Sequence, residues 1–339
     1  MTPLSDHRNA LDVLRLAAAW VVLFGHQFAL LGLEEPLLLG HYGWGELGVG
    51  VFFFLSGGLV WSSWCRDPHW GRFFARRSLR IFPALVVVVL LTVCALGPWL
   101  SRLDWHGYWA ADGTWRYFKT LLLNNQKGLP GVFEHTPLAD AVNGSLWSLG
   151  PEFLAYGMVA LVGGVVHLRR DLGAALLLLC MVALLTHYAW SHDGHTKPHL
   201  EVVAMFGWGA WWAQWRTQRS RAEPVSRLAW ACVLLALVVY AVLLDDGMRR
   251  LGLLFGVAVL VWWAHRVTWG QAFMARFGDV SYGVYIYAFP VQQTLIYFFP
   301  QWHLGLHLGV ASALTLALAW LSWHGVEQMA LRFKPVRPA

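Results

Sequence analysis

The segment LDVLRLAAAWVVLFGHQFALLGL, residues Leu11 to Leu33, decides the class of fold. It is apolar over a length that suits a membrane-spanning helix, which needs about 20 residues. It nevertheless carries Asp12 and Arg15 near its start and His26 in its second half. Charged and titratable side chains are costly in hydrocarbon, so a span that contains them indicates a polar bundle interior or a water-filled cavity.

The composition of the whole chain agrees with a membrane protein. Of its 339 residues, 58% are hydrophobic and 13% are charged, whereas charged residues make up about 25% of an ordinary soluble domain. The 22 tryptophans also suit a membrane interface, because indole has an apolar body and one polar edge. We therefore predict an all-α polytopic membrane protein.

Ten apolar segments are candidate spans, and their length favours helices over strands. They cover residues 11–31, 47–64, 81–100, 144–166, 172–190, 199–215, 228–244, 251–265, 278–299 and 304–323. Lys and Arg concentrate in alternate connections, which predicts that both termini are cytoplasmic and that a long loop of about residues 101–143 lies outside. We expect one transmembrane domain over residues 1–339, in the plasma (inner) membrane.

Charge and cysteine content narrow the classes of function. The net charge of +6 comes from basic residues in short loops, a distribution that reflects membrane topology and not a nucleic-acid surface. The four cysteines are far apart and form no CxxC or His–Cys cluster, so we expect neither a metal site nor a disulfide framework. The sequence has no phosphate-binding glycine loop of the Walker type and no HExxH motif.

One face of the first helix is polar. Arg15 and His26 are eleven positions apart, so at about 100° per residue they point in nearly the same direction, about 16 Å apart along the axis. Asp12 is placed to pair with Arg15. A neutral His26 bonded between helices and an Arg15 that reaches the membrane surface are the alternatives to a functional pair.

An arginine-rich stretch, WGRFFARRSLRIFPAL, precedes the third span. It contains Arg72, Arg76, Arg77 and Arg80, and the last two share a helical face. Such a patch is a topology signal and a contact for anionic lipid. It also suits phosphate groups, so it predicts the binding of a large anionic cytosolic donor such as a nucleotide-bearing thioester.

Two further segments supply polar groups to the bundle. In NGSLWSLGPEFLAYGMVAL, Glu152 is predicted to orient His26, unless a neighbouring Trp or Tyr donor satisfies it, and Asn143 and Ser145 are placed to line the outer mouth. In FGDVSYGVYIYAFPVQQTL, Tyr282 and Tyr285 share one face, suited to packing or to contact with an acceptor sugar or an acyl carbonyl. We interpret Glu327 and His324, near the end of the last span, as interface residues.

Taken in order, these stretches resemble the integral-membrane acyltransferase family 3, whose members O-acylate sugars and other extracytoplasmic acceptors. LDVLRLAAAWVVLFGH is similar to that family's first-helix signature, GELGVGVFFFLSGGLVW to its second-helix pattern, and RRSLRIFPAL to its Arg-x-x-Arg. NGSLWSLGPEFLAY and VSYGVYIYAFPV are similar to two later segments. Many relatives carry Asp where Gly50 stands and His where Ala288 stands, so here the chemistry falls more heavily on His26 and the acceptor class is open.

The resemblance implies a mechanism without a metal. Acyl-CoA, most often acetyl-CoA, would bind from the cytoplasm with its phosphates on Arg77 and Arg80, with Arg15, Arg72 and Arg76 as further candidates. His26 would be the general base for an external acceptor hydroxyl, and Glu152 would hold its tautomer. We expect direct transfer in a ternary complex, although folding could bring Ser56 or Ser145 near His26. The implied partners are membrane lipid, an extracytoplasmic glycan and glycan-assembly proteins.

Two other functions fit the same residues. A bundle with a membrane His, Arg and Glu is also typical of a proton-coupled transporter of a sugar or a lipid-linked intermediate. A non-catalytic membrane partner of a glycan-assembly complex is the other alternative. CoA binding discriminates the first from an acyltransferase, and the effect of His26→Ala discriminates the second.

Overall fold

The structure is a computed structural model that describes residues 10–166, 169–190, 198–242, 247–268, 270, 274 and 276–336. Within these residues the backbone forms helices and loops, with one isolated β-bridge between Leu38 and Tyr42. The long helices of this part of the chain are α1 (Leu11–Leu31), α2 (Trp44–Arg66), α3 (Trp70–Leu91), α4 (Leu149–Val165), α5 (Arg170–Trp190), α6 (Pro198–Ser220), α7 (Arg227–Val242), α8 (Gly247–Ala264), α9 (Ser281–Phe298) and α10 (Leu304–Ser322).

The predicted all-α, multi-pass architecture is confirmed over these residues. Six helical segments are long and apolar enough to cross a membrane, namely Leu11–Leu31, Trp44–Arg66, Trp70–Leu100, Gly144–Val165, Arg170–His187 and Leu304–Leu331. Helices α6 to α9 also fall on predicted spans but do not meet that standard of length and hydropathy. Ten crossings and cytoplasmic termini therefore stay predictions.

The third helix differs from the predicted span of 81–100. It begins at Trp70, where the His69 side chain accepts a hydrogen bond from the backbone N–H of Arg72, and it continues through a π-helical turn to Leu100. The arginine-rich stretch is therefore helical. Its side chains project from an ordered helix face and not from a loop.

Helix α2 is the most deeply buried of the candidate spans and crosses α6 at very close range. A Cβ atom on Gly57 would collide with the carbonyl oxygen of Phe206, and one on Gly209 would collide with that of Phe54. Small residues allow backbones to approach in a membrane, where dispersion contacts drive helix association. This pair of glycines fixes the position of α2, which carries Ser56 next to Gly57.

Helix α9 packs against α1 and α10, and polar side chains join it to its neighbours. Gln292 donates through Nε2 to the Leu23 carbonyl oxygen at 2.9 Å and to Gln27 Oε1 at 2.8 Å. The next residue, Gln293, donates to the Leu138 and Ala141 carbonyl oxygens at the end of the 101–143 loop. The loop is thus bonded to the helix that carries the predicted tyrosines.

We expect Gly57→Ala to lower the stability of the protein, because its new Cβ meets backbone that side-chain rotation cannot move. Overpacking of this kind costs about 1–3 kcal/mol. Gly157→Ala is the matched control, since a Cβ there has no neighbour within 4 Å. Thermal unfolding in detergent, followed by tryptophan fluorescence, measures the difference; equal melting temperatures for both variants would contradict the close crossing.

Candidate active site

A cavity of about 660 Å³ lies among α1, α2, α3, α4 and the region around α9. Its polar lining is mainly basic, and we call it the arginine cavity. The basic side chains that line it are Arg15, Arg66, Arg76, Arg77, Arg80 and Lys334. The predicted residues Asp12, Glu152, Tyr282 and Tyr285 also line it. Four of the five arginines predicted to bind a donor are thus brought to one cavity.

Asp279, which we did not predict as a site residue, holds two of these arginines. Its Oδ2 atom lies 2.7 Å from Arg15 Nη1 and 2.6 Å from Arg80 Nη2, and Ser281 donates to its Oδ1 atom at 2.6 Å. The predicted pair of Arg15 with Asp12 is present but longer, at 3.8 Å. The sequence feature that could have identified Asp279 is its position as a lone carboxylate directly before an apolar run, in the segment FGDVSY.

Glu327 is a second carboxylate of this network. It is 2% exposed, lies 3.4 Å from Arg80 Nη1 and accepts a hydrogen bond from Ser322 at 3.0 Å. Its interpretation as an interface residue is therefore wrong. It closes a π-helical segment, Trp323–Glu327, and π-helical turns are frequent at functional sites.

Asp67 forms a bidentate ion pair with the guanidinium of Arg72. Arg72 donates to it through Nε at 2.9 Å and Nη2 at 2.6 Å, and Arg76 donates through Nη1 at 2.8 Å. These hydrogen bonds hold the pKa of the Asp67 carboxyl well below its usual range. Arg72 does not line the arginine cavity. Its prediction as a donor-binding residue is therefore not supported by its position.

Arg76 and Arg77 retain unused donors. Arg76 Nε and Nη2 and Arg77 Nε are buried without a hydrogen-bond partner among the described residues. The Arg77 guanidinium lies 6.0 Å from the Phe73 ring centroid and 5.9 Å from that of Tyr156. Buried cationic donors without partners are costly, so these nitrogens favour an anionic ligand in the cavity.

Glu152 does not contact His26, which corrects its predicted role. It accepts hydrogen bonds at Oε1 from Ser56 at 2.7 Å and from the Tyr156 hydroxyl at 2.6 Å. A tyrosine donor is the alternative that the sequence left open for this carboxylate. Because Tyr156 contacts both Glu152 and Arg77, the carboxylate is placed to act on the arginine cavity.

His26 lies away from the arginine cavity and does not line it. Its half-buried ring contacts Phe289, with 5.4 Å between ring centroids, and its Nδ1 atom has no hydrogen-bond partner in the described structure. Helices α1 and α2 run antiparallel and touch at Gly25 and Gly45. Ser56 is eleven residues beyond Gly45, so it lies about 16 Å from the level of His26 along the helix axis.

Tyr285 stands between these two levels. Its hydroxyl is 2.7 Å from Ser148 Oγ and 2.8 Å from the Ser145 carbonyl oxygen, and its ring packs on Phe52. It precedes Phe289, the neighbour of His26, by one helical turn. Tyr285 and its serine partners therefore form a layer at the edge of the arginine cavity, between its level and that of His26.

The other predicted polar residues have internal partners. Tyr282 donates to the Ile81 carbonyl oxygen at 3.0 Å, and Asn143 donates through Nδ2 to the Ile286 carbonyl oxygen at 2.9 Å. Asn143 and Ser145 are both 0% exposed. They therefore do not line an open outer mouth, which corrects that prediction; they fix the entry into α4 against α9.

These features define a multi-pass membrane protein with a basic cavity on one side of a tyrosine layer and a histidine on the other. Comparison with known proteins gives its family. Residues 8–324 match the acyltransferase domain of acyltransferase family 3. The chain belongs to that family and is an acyltransferase.

Two relatives are similar to nearly the whole chain. An "O-acetyl transferase" of Shigella phage Sf6 is 31% identical over 95% of this chain and 96% of its own length. "Nodulation protein 10" of Rhizobium leguminosarum bv. viciae is 29% identical over 97% of this chain and 95% of its own length. No solved structure matches the chain.

We expect Asp279→Asn to destabilise the protein, because Arg15 and Arg80 lose a shared counter-charge. Removing one partner of a fully buried ion pair costs about 3–5 kcal/mol, and the side chain of Asp279 is 20% exposed, so the loss should be smaller than that but larger than for a surface pair. Asp12→Asn, at the longer and more exposed pair, should cost less than about 1 kcal/mol. Thermal unfolding of the two purified variants measures both effects, and a harmless Asp279→Asn would show that Asp279 does not hold the arginines.

Proposed function

We propose that this protein transfers an acyl group from cytosolic acyl-CoA to a hydroxyl of an extracytoplasmic carbohydrate, with acetyl favoured over longer acyl chains. Family membership and similarity to a phage O-acetyl transferase support acyl transfer to oxygen. The observation that carries the donor assignment is the arginine cavity, in which nitrogens of Arg76 and Arg77 are buried without partners in the part of the chain that the structure describes. Phosphate oxygens are strong acceptors for such nitrogens.

The arginines of the cavity differ in whether a carboxylate holds them. Arg15 and Arg80 are held by Asp279, whereas Arg77 has no carboxylate within ion-pair distance among the described residues. Arg77 is therefore the residue best placed to bind a donor phosphate directly. The inner part of the cavity is lined by Val49, Phe52 and Phe53, which suits the uncharged arm of a thioester.

His26 supplies the base in this proposal. It takes the proton of the acceptor hydroxyl while that oxygen bonds to the thioester carbonyl carbon. The carbon–sulfur bond then breaks and CoA leaves as a thiolate, and the release of the proton from His26 balances the proton that the thiolate takes up.

The tyrosine layer sets the condition for direct transfer. Because Tyr285 lies between the level of the arginine cavity and that of His26, the acyl end of the donor must displace its hydroxyl from Ser148 and Ser145. Ser56 offers a two-step route, since Glu152 is placed to take its proton. A protein that becomes acylated with donor alone, but not after Ser56→Ala, would replace direct transfer with that route.

We expect His26→Gln to lose turnover by about 10²–10⁴-fold, because the acceptor hydroxyl loses its general base. CoA affinity should not change, since His26 does not line the arginine cavity. Chromatographic measurement of CoA release from acetyl-CoA, with candidate glycans in nanodiscs, gives turnover. His324→Gln is the control, because the half-buried His324 does not line the arginine cavity and its ring contacts Trp320, whose carbonyl oxygen lies 2.9 Å from its Nδ1 atom.

Full turnover in His26→Gln would refute the assignment of the base. Wild-type protein that binds CoA but acylates none of the glycans would leave the donor site in place and contradict the acceptor class. Wild-type protein that neither binds CoA nor releases it from acetyl-CoA would favour the proton-coupled transporter.

We expect Arg77→Gln to weaken CoA binding about tenfold or more, the effect of losing one charge-assisted hydrogen bond. Arg72→Gln should leave CoA affinity unchanged, because Asp67 occupies its guanidinium outside the cavity. Calorimetric titration of both variants with CoA compares them. Equal losses would mean that bulk positive charge, and not the geometry of the cavity, attracts the donor.

A further inference from the structure

The segment that follows the last helix contributes residues to the wall of the arginine cavity. Residues Leu331–Pro335, which we call the tail segment, begin where the helical extension of α10 ends. Leu331 and Lys334 line the cavity, and the Pro335 carbonyl oxygen accepts a hydrogen bond from Arg76 Nη1 at 3.5 Å. The tail segment is therefore part of the wall of the cavity at its mouth.

Lys334 faces an excess of positive charge. Arg76, Arg77 and Arg80 of α3 lie around it, and among the described residues no carboxylate is within ion-pair distance of its amino group. The side chain of Lys334 is exposed, but desolvation by the surrounding cavity wall, followed by repulsion from Arg80 and Arg77, lowers its pKa from 10.5 to about 8.

The charged groups on the other walls do not cancel this excess. Asp67, Asp279 and Glu327 pair with Arg76, Arg15 and Arg80, and Glu152 is bonded to the Ser56 hydroxyl. Arg77 and Lys334 keep no carboxylate within ion-pair distance among the described residues. The charged side chains from the remaining walls are Asp12, Arg15 and Arg66. A cation cluster of this kind is unfavourable without an anion, so it favours a ligand of high negative charge.

The cations lie at two depths. Arg66 is the last residue of α2, Lys334 lies in the tail segment, and Arg76 lies in the second turn of α3. Arg80 is four residues further along α3 than Arg76, which places it about 6 Å deeper. CoA also carries two separate anionic groups, the diphosphate of its linker and the 3′-phosphate on its ribose.

We propose that Lys334 of the tail segment binds the 3′-phosphate of CoA and so makes the donor site select CoA thioesters over thioesters that lack this phosphate. The inference rests on the proposed acyl-CoA donor and deepens it. The inner arginines then bind the diphosphate. Lys334 is in this view a specificity-determining residue that takes no part in bond formation.

The test compares CoA with 3′-dephospho-CoA by calorimetric titration of the full chain in nanodiscs at pH 7. Wild type should bind CoA about tenfold more tightly, the effect of one charge-assisted contact. Lys334→Gln should lose this preference while its affinity for 3′-dephospho-CoA stays unchanged. Arg332→Gln is the matched control, because Arg332 is exposed and does not line the cavity.

The pH dependence supplies a second readout. Lys334 is protonated below its pKa of about 8, so the preference for CoA should be present at pH 7 and decrease as pH rises to about 9. Lys334→Arg keeps its charge over this range and should keep the preference at both pH values. Lys334→Gln should show no preference at either.

The outcomes separate the inference from the function on which it rests. Wild type that binds neither probe refutes both the donor assignment and the role of Lys334. Wild type that binds both probes equally, or a Lys334→Gln variant that weakens both by the same factor, overturns only the role of Lys334. Thermal unfolding of Lys334→Gln shows whether a loss of binding comes from a loss of folded protein.

Discussion

The carboxylate of Asp279 is the interaction on which the cavity depends. It lies within 2.7 Å of guanidinium nitrogens from both α1 and α3, and it stands directly before α9. Two arginines placed in a bundle of apolar helices repel each other and lack water, so a shared counter-charge is needed to keep both in one wall. By satisfying Arg15 and Arg80, Asp279 leaves Arg77 and part of Arg76 available to a ligand.

The arginine cavity and His26 lie at different levels of the bundle. The layer formed by Tyr285, Ser145 and Ser148 lies between these levels. An acyltransferase that takes its donor from one side of a membrane and its acceptor from the other needs such a barrier, because an open channel would leak ions. The hydroxyl of Tyr285 is held by hydrogen bonds, which are easier to exchange than packed apolar contacts.

Several of these residues could be singled out from the sequence because they are charged or titratable within apolar segments. Arg15 and His26 are conspicuous in an apolar run, and helical periodicity places them on one face. The arginines of α3 were identified in the same way, and three of the four line the cavity.

Asn143 and Ser145 were misplaced because the sequence shows that they precede a span but not that α9 covers them. Glu327 was misread for the same reason, since its depth depends on the π-helical turn that precedes it.

The sequence by itself determined the all-helical membrane architecture, the family and the depth of the charged groups along their own helices. Only the tertiary structure decided which charged groups meet. Arg15 and Asp279 are 264 positions apart, and Glu152 meets Ser56 at a separation of 96, although His26 was its expected partner. Periodicity defines the face of one helix, but it does not define the rotation and register of its neighbours. Those are set by side-chain packing at crossings such as Gly57 with Phe206, where a single methyl group would change the distance between two helices.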